Sequence, residues 1–320
     1  MSKIKHCTMA MTVEEGKDRE AWLAARNKGI GGSDAGIIMG ASPWKSPYTL
    51  WMEKTGQLIP EDISGKEPVF WGTKLEAVIA DHWAEKNGKR VARCGTVYRN
   101  DCPWLIANVD RLVIGEKAGL EIKTTNAFNG DEWREDAEGQ HIPDTYYWQC
   151  MHYMLVTGLP VWYVAVLIGG QQYVQMTLPR DEAAIQQLWE TEKKFWEENV
   201  LQKKPPLVDG SSSTADALAI EFPGGEPGPV DLTAEAETIY TVLQQSKEKK
   251  KEAEASIKEC GNKIKALMGD IEEARISGHK VTWKTYPGKP KVDEKKLQEE
   301  FPDVYEKVLK IGKETRVFRA

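Results

Sequence analysis

Paired cysteine motifs are missing from this chain. Its five cysteines, Cys7, Cys94, Cys102, Cys150 and Cys260, are scattered, odd in number and never in CxxC spacing. That argues against a disulfide scaffold or a cysteine zinc site and points to a reducing compartment. No apolar run approaches the ~20 residues of a membrane span. The opening Met1-Ser2-Lys3-Ile4-Lys5-His6 has no apolar signal core. A soluble, cytoplasmic protein with no membrane partner is expected. Positive charge is not in excess: the formal net charge is −6, so nothing global announces nucleic acid, although a local basic track fits that total. His82, His141 and His152 lack ligand spacing. Tryptophan, by contrast, is plentiful, with twelve residues, most of them expected in packing.

Against this background four residues stand out: Glu76, Asp110, Glu121 and Lys123. The last three form Asp-x10-Glu-x-Lys across two apolar runs that read as strands. Alternation sends Glu121 and Lys123 to one face and Ile122 to the other. A single strand-end Asp or Lys is ordinarily solvated or paired at the surface. The full spacing is a poor core and a good Mg²⁺ site, because hard cations take oxygen ligands. Glu76 adds to it. On a helix expected over 68–87 it shares a face with Ile79, Ala80 and Trp83, where an unpaired carboxylate is costly.

The pattern of the remaining segments predicts an α/β core with a mixed central sheet flanked by helices. Helices are expected over 17–27, from a Ser33-Asp34 cap to Met39, and from Ser46-Pro47 onward. Strands follow at 90–98, 104–114 and 119–125. A loop or short helix at 128–141 leads to an aromatic-rich helix over 143–157, a hairpin of 161–168 with 171–178, and a helix over 181–200. This unit is placed at 1–208, a Ser/Gly/Pro-rich linker at 209–229, a long heptad-patterned helix at 230–275 and a small α/β module at 276–320. Within that module a strand at 279–286, a helix at 292–310 and a closing strand at 315–319 are expected.

Residues from about 19 to 200 resemble the lambda-type alkaline exonucleases, or YqaJ-like viral recombinases, of the PD-(D/E)xK nuclease superfamily. Several runs carry the resemblance in order: Arg26-Asn27-Lys28-Gly29-Ile30-Gly31-Gly32-Ser33-Asp34, Ala41-Ser42-Pro43-Trp44 and Gly72-Thr73-Lys74-Leu75-Glu76 come first. Asn108-Val109-Asp110, Leu120-Glu121-Ile122-Lys123 and Tyr147-Trp148-Gln149-Cys150-Met151-His152-Tyr153 follow. The resemblance implies a restriction-endonuclease-like core and Mg²⁺-dependent 5′→3′ digestion of linear double-stranded DNA, with Mn²⁺ as a substitute. It implies that Asp110, Glu121 and the Ile122 carbonyl hold the metal, with Glu76 a further candidate ligand, that Lys123 is the catalytic lysine, and that Gln149 supports the site together with Glu76. Arg26 and Ser33 would bind a 5′-phosphate. A guanidinium that forks onto phosphate and a hydroxyl at a helix start suit that role chemically. Asn108, Tyr153 and Trp44 are further DNA-binding candidates. Trp44 and Trp133 have the chemistry to stack on a base, with packing as the plainer role for each.

The expected product is a 3′ tail for a single-strand annealing protein, docked through the C-terminal module, in a phage-type recombination system; an arm gripping duplex DNA through Lys247–Lys251, or packing against a neighbouring subunit, are the alternatives for that module. A ring-shaped homotrimer or homotetramer is expected by the same resemblance. The rivals are an endonuclease of the same superfamily and a DNA-binding scaffold with a degenerate site.

Overall fold

The computed structural model describes residues 4–136, 139–226, 228–310, 312 and 316–320. The chain separates into two units, Met1–Phe222 and Pro223–Ala320. In the first unit β1 (Cys7–Met11) precedes α1 (Arg19–Arg26), which starts where the Asp18 carboxylate accepts from the Ala21 N–H at 3.1 Å. The next helix, α2 (Gly32–Ile38), begins two residues earlier than a Ser33 cap would place it. Its N-cap is Gly31, whose N–H is taken by the Asp34 carboxylate at 3.0 Å. α3 (Pro47–Lys54) has Pro47 in its first turn, and the Ser46 hydroxyl accepts from the Thr49 N–H. α4 (Glu67–Asn87) stops at Gly88, which adopts φ 61°.

Next come β2 (Arg90–Ala92), β3 (Thr96–Arg99), β4 (Cys102–Asn108), β5 (Arg111–Ile114) and β6 (Ala118–Thr125). Two strands expected as continuous are therefore each split. β2 and β5 belong to the central sheet, while β3 and β4 join β1 in a separate sheet. The first break lies beside Gly95, where a Cβ would fall 2.1 Å from the Met11 carbonyl oxygen, so β1 crosses there without room for a side chain. The second break is Val109-Asp110, between β4 and β5.

β7 (Arg134–Asp136) and β8 (Gly139–His141) form a small hairpin before α5 (Asp144–Thr157). Then β9 (Val161–Ile168), β10 (Gln172–Pro179) and α6 (Glu182–Lys194) complete the core. The central sheet runs β10-β9-β6-β5-β2. Only β6–β9 is parallel within it, so the sheet is mixed as expected. One face packs Leu120, Ile122 and Ala165 under Ile79, Ala80 and Trp83 of α4. The other face packs Trp162, Val164 and Val166 against Met151 and Met154 of α5. His152 of α5 is fully buried between the Glu192 carboxylate of α6, 2.7 Å from Nδ1, and the Ile106 carbonyl of β4, 2.9 Å from Nε2.

The segment expected to be linker contains α7 (Ser212–Glu221). It packs on α3: the Thr49 hydroxyl donates to the Ser213 carbonyl at 2.9 Å and the Tyr48 hydroxyl to Glu221 at 2.5 Å. Ala217 is buried there with Tyr48, Leu50 and Trp51.

The second unit holds α8 (Ala234–Met268), a hairpin of β11 (Glu273–Ile276) and β12 (His279–Thr282), then α9 (Glu294–Glu300) and α10 (Pro302–Val308). Several expectations change here. α8 is shorter than the 230–275 expected, starting at Ala234 and ending before Gly269. β12 pairs with β11, not with a closing strand, and 316–319 is irregular; Thr315 lies outside the described residues. The helix expected over 292–310 breaks at Phe301-Pro302, because proline cannot donate to the preceding turn. No described helix is long and apolar enough to cross a membrane.

Candidate active site

The break between β4 and β5 places Asp110 beside β6. Its Oδ2 accepts from the Ile122 N–H at 2.8 Å. Strand alternation directs Leu120 and Ile122 to α4, and Glu121 and Lys123 toward α5. Glu121 is 1% exposed. Its Oε1 accepts from Lys123 Nζ at 2.5 Å and from Gln149 Nε2 of α5 at 2.8 Å. The same Gln149 amide donates to the Tyr153 hydroxyl at 2.9 Å. Lys123 Nζ also lies over the Tyr146 ring, 4.8 Å from its centroid.

Electrostatics here follow from burying carboxylates side by side. Burial and then the Glu121 charge push Asp110 well above the ordinary carboxylate range. Burial raises Glu121 as well, with the Lys123 ammonium opposing it. Burial alone would weaken the Lys123 ammonium, but the Glu121 and Asp110 carboxylates outweigh it and raise its pKa. Glu76 adds repulsion at both Asp110 and Glu121.

Glu76 itself is not gathered into the pair. Its Oε1 accepts from the Arg111 guanidinium at 2.5 Å, and the same Arg111 nitrogen donates to the Asp110 carbonyl at 2.6 Å. Arg111 is buried. Among the described residues no set of three or more His, Cys, Asp and Glu side chains is assembled as a metal cage. The donor set for a hard divalent cation is therefore the Asp110–Glu121 pair. It fits one: Glu121 Oε2 is buried without a hydrogen-bond partner, and a half-buried Asp110 carboxylate beside it adds a second negative charge that calls for a cation.

Asp110, Glu121, Ile122, Lys123, Glu76 and Gln149 all line one cleft of about 1140 Å³. Trp44, 67% exposed, and Tyr146 stand on its rim. Trp133 is buried, stacked behind Tyr146 at a 5.2 Å centroid distance, so it packs and offers no face to a ligand. Tyr153 is likewise buried behind Gln149, not displayed in the cleft. The side-chain oxygen of Asn108 is occupied by Trp22 Nε1 and the Thr96 hydroxyl, which fixes β4 to β3 and α1.

Arg26 and Ser33 are brought together, with the guanidinium donating to the hydroxyl. They do not line the cleft. Beneath them lies an ion pair that sequence reasoning missed. Lys54 Nζ donates to Asp34 Oδ2 at 2.8 Å and to the Gly29 and Arg26 carbonyls at 2.7 and 3.0 Å. The side chains of Lys54 and Asp34 are 4% and 5% exposed. Burial would raise Asp34, but Lys54 and Arg26 together hold it down at about 2. Nothing in the sequence of α3 marks Lys54. Arg111 was more legible, as a charge on the inward face of an apolar strand directly after Asp110. The α7 residues Ser212, Ser213, Asp216 and Ala217 also line the cleft; their Ser/Gly/Pro-rich surroundings concealed a helix.

A mixed sheet whose middle strand β6 carries a buried Glu121 and a half-buried Lys123 beside Asp110 defines an α/β protein with a carboxylate–lysine site suited to a divalent cation. Comparison with known proteins then gives the family. Residues 21–160 match the YqaJ-like viral recombinase domain. The uncharacterized protein YqaJ of Bacillus subtilis (strain 168) is 40% identical over 297 residues, which is 91% of each chain. The chain belongs to this family. Among solved structures it is similar to the alkaline exonuclease LHK-Exo of Laribacter hongkongensis. There the identity is 23%, coverage is 56% of this chain and 91% of that one, and the TM-score is 0.48. It is also similar to a phage-related exonuclease from Haemophilus somnus 129PT. In that case identity is 12%, coverage 55% and 96%, and the TM-score 0.43.

Proposed function

We propose that the protein is a Mg²⁺-dependent nuclease that digests linear duplex DNA from its 5′ ends, leaving 3′ tails for strand annealing in a phage-type recombination system. The observation that carries this reading is the adjacent Asp110–Glu121 carboxylate pair, Glu121 buried, with Lys123 Nζ 2.5 Å from Glu121. The family of the chain supports it.

Asp110, Glu121 Oε2 and the Ile122 carbonyl are the groups assigned to hold the metal. A bound divalent cation supplies Lewis acidity at the scissile phosphate and lowers the pKa of a coordinated water. Lys123, kept charged by its two carboxylate neighbours, holds the attacking water or offsets charge on the pentacovalent transition state. Gln149 fixes Glu121 in place, so that its second oxygen stays aimed at the metal position. Glu76, tied to Arg111, supports the Asp110 turn from the α4 side. The Arg26–Ser33 pair is assigned to a 5′-phosphate, since a guanidinium and a hydroxyl both donate to phosphate oxygens.

The test is incubation with Mg²⁺ and 5′-phosphorylated linear duplex beside nicked and closed circular DNA. Release of mononucleotides from the linear form alone, stopped by EDTA, is the expected result. Cleavage of closed circles would make the protein an endonuclease. Lys123→Ala should lower the rate by about 10²-fold or more. Undiminished digestion by that variant would remove Lys123 from the mechanism.

A further inference from the structure

Arg26 ends α1 with its guanidinium over the Trp22 ring, 4.9 Å from the centroid, and donating to the Ser33 hydroxyl. Among the described residues the one carboxylate near it is Asp34, whose Oδ1 lies 3.6 Å away, too far for a direct hydrogen bond. Asp34 is ionised, with its pKa held at about 2, yet its charge is committed elsewhere. Its Oδ2 takes the Lys54 ammonium at 2.8 Å and the Gly31 N–H at 3.0 Å. These side chains therefore bring two cations to one carboxylate. Lys54 and Asp34 are 4% and 5% exposed and Arg26 is 28% exposed, so the excess positive charge sits on the member of the three that reaches solvent. Glu192, whose charge is also felt by Asp34, is already matched by His152 at 2.7 Å.

We propose that Lys54 is the positioning residue that sets the preference for a phosphorylated DNA end: by taking Asp34, it leaves the Arg26 guanidinium free for the terminal phosphate. The proposal rests on the assignment of Arg26 and Ser33 to a 5′-phosphate. Two cations compete for Asp34, and Lys54 holds it because all three ammonium protons are used there. One goes to Asp34, and the others go to the Gly29 and Arg26 carbonyls at 2.7 and 3.0 Å. Without the Lys54 charge the balance becomes one cation to one carboxylate. Asp34, still buried, then recovers a partner only from Arg26, by closing the 3.6 Å gap to a direct ion pair. A guanidinium paired in that way has little attraction left for a phosphate, because the local excess of positive charge is gone. A 5′-hydroxyl end carries no such charge and is indifferent to the exchange. Lys54 thus acts through Arg26, by keeping Asp34 away from it.

The experiment compares digestion of 5′-phosphorylated and 5′-hydroxyl linear duplex by the full-length protein with Mg²⁺. The wild-type chain should favour the phosphorylated end. Lys54→Gln removes the charge and keeps an amide donor for the two carbonyls. It should lose about 10-fold or more of that preference, through a higher KM on phosphorylated ends, with digestion of hydroxyl ends within about twofold of wild type. Adding Asp34→Asn to Lys54→Gln should restore the preference, because the carboxylate that captures Arg26 is gone while an oxygen remains for the Gly31 N–H. An unchanged preference in Lys54→Gln would overturn the proposal and leave the 5′-phosphate assignment standing. Equal loss on both kinds of end, or no restoration by Asp34→Asn, would mean that the lysine only holds the loop and would overturn it too. No preference in the wild-type chain would remove the 5′-phosphate assignment itself, and the proposal with it.

Discussion

The two units of this chain use apolar residues in opposite ways. In Met1–Phe222 they converge on three clusters that cover both faces of the central sheet and the α3–α7 contact. In Pro223–Ala320 the one buried hydrophobic residue among those described is Met268, while Val230, Leu232, Ile257, Leu267 and Phe318 are exposed. The first unit can therefore hold charges where they are costly. Asp34, Lys54, Arg111, Glu121 and Glu192 are all buried or nearly so, each fixed by partners on other elements. The second unit keeps its described ion pairs at the surface, within α8, around the β11–β12 hairpin and in α9, such as Lys263 with Glu259 at 2.5 Å and Lys250 with Glu254 at 3.7 Å. Exposed pairs of that kind contribute little. Preorganised chemistry needs a packed scaffold, and the first unit alone supplies one.

Breaking a buried charge is the sharpest way to probe this difference. Lys54→Met should destabilise the protein by about 3–5 kcal/mol, because Asp34 loses its closest cation and the carbonyls of Arg26, at the end of α1, and Gly29 lose their donor. Chemical denaturation measures the loss; a change under 1 kcal/mol would mean the pair is not the anchor of the 29–34 loop. The same pair sets an acid limit. Asp34 is depressed from 3.8 to about 2, so its contribution is full above pH 3.8 and fades as pH falls through about 2.

Core truncation should separate the units next. Leu120→Ala, beneath α4, should cost about 2–5 kcal/mol. Ile257→Ala on α8 should change the unfolding of the first unit by less than about 0.5 kcal/mol. Equal losses would dissolve the distinction drawn here.

How much of this was legible in the sequence differs by element. The central helices, the β9–β10 hairpin and the mixed sheet were, because their apolar periods are long and uninterrupted. Asp110, Glu121 and Lys123 stood out because strand alternation turns a short spacing into a shared face. The splitting of 90–98 and 104–114 between two sheets was not legible. Each run alternates enough apolar residues for one strand, and the first break depends on β1, which was not anticipated. Lys54 was hidden because its value lies in carbonyls of a distant loop. α7 was hidden because its helix depends on docking to α3, not on its own apolar pattern. The proline at 302 was visible, and its effect on the helix at 292–310 was underestimated.

The central claim is that Asp110 and Glu121 form the seat of a divalent cation. Calorimetric titration of the protein with Mn²⁺, beside Asp110→Asn, tests it without relying on activity. The account predicts saturable binding by the wild-type chain and a loss of affinity of more than about 10-fold in the variant. Equal binding by both, or none by either, would contradict it.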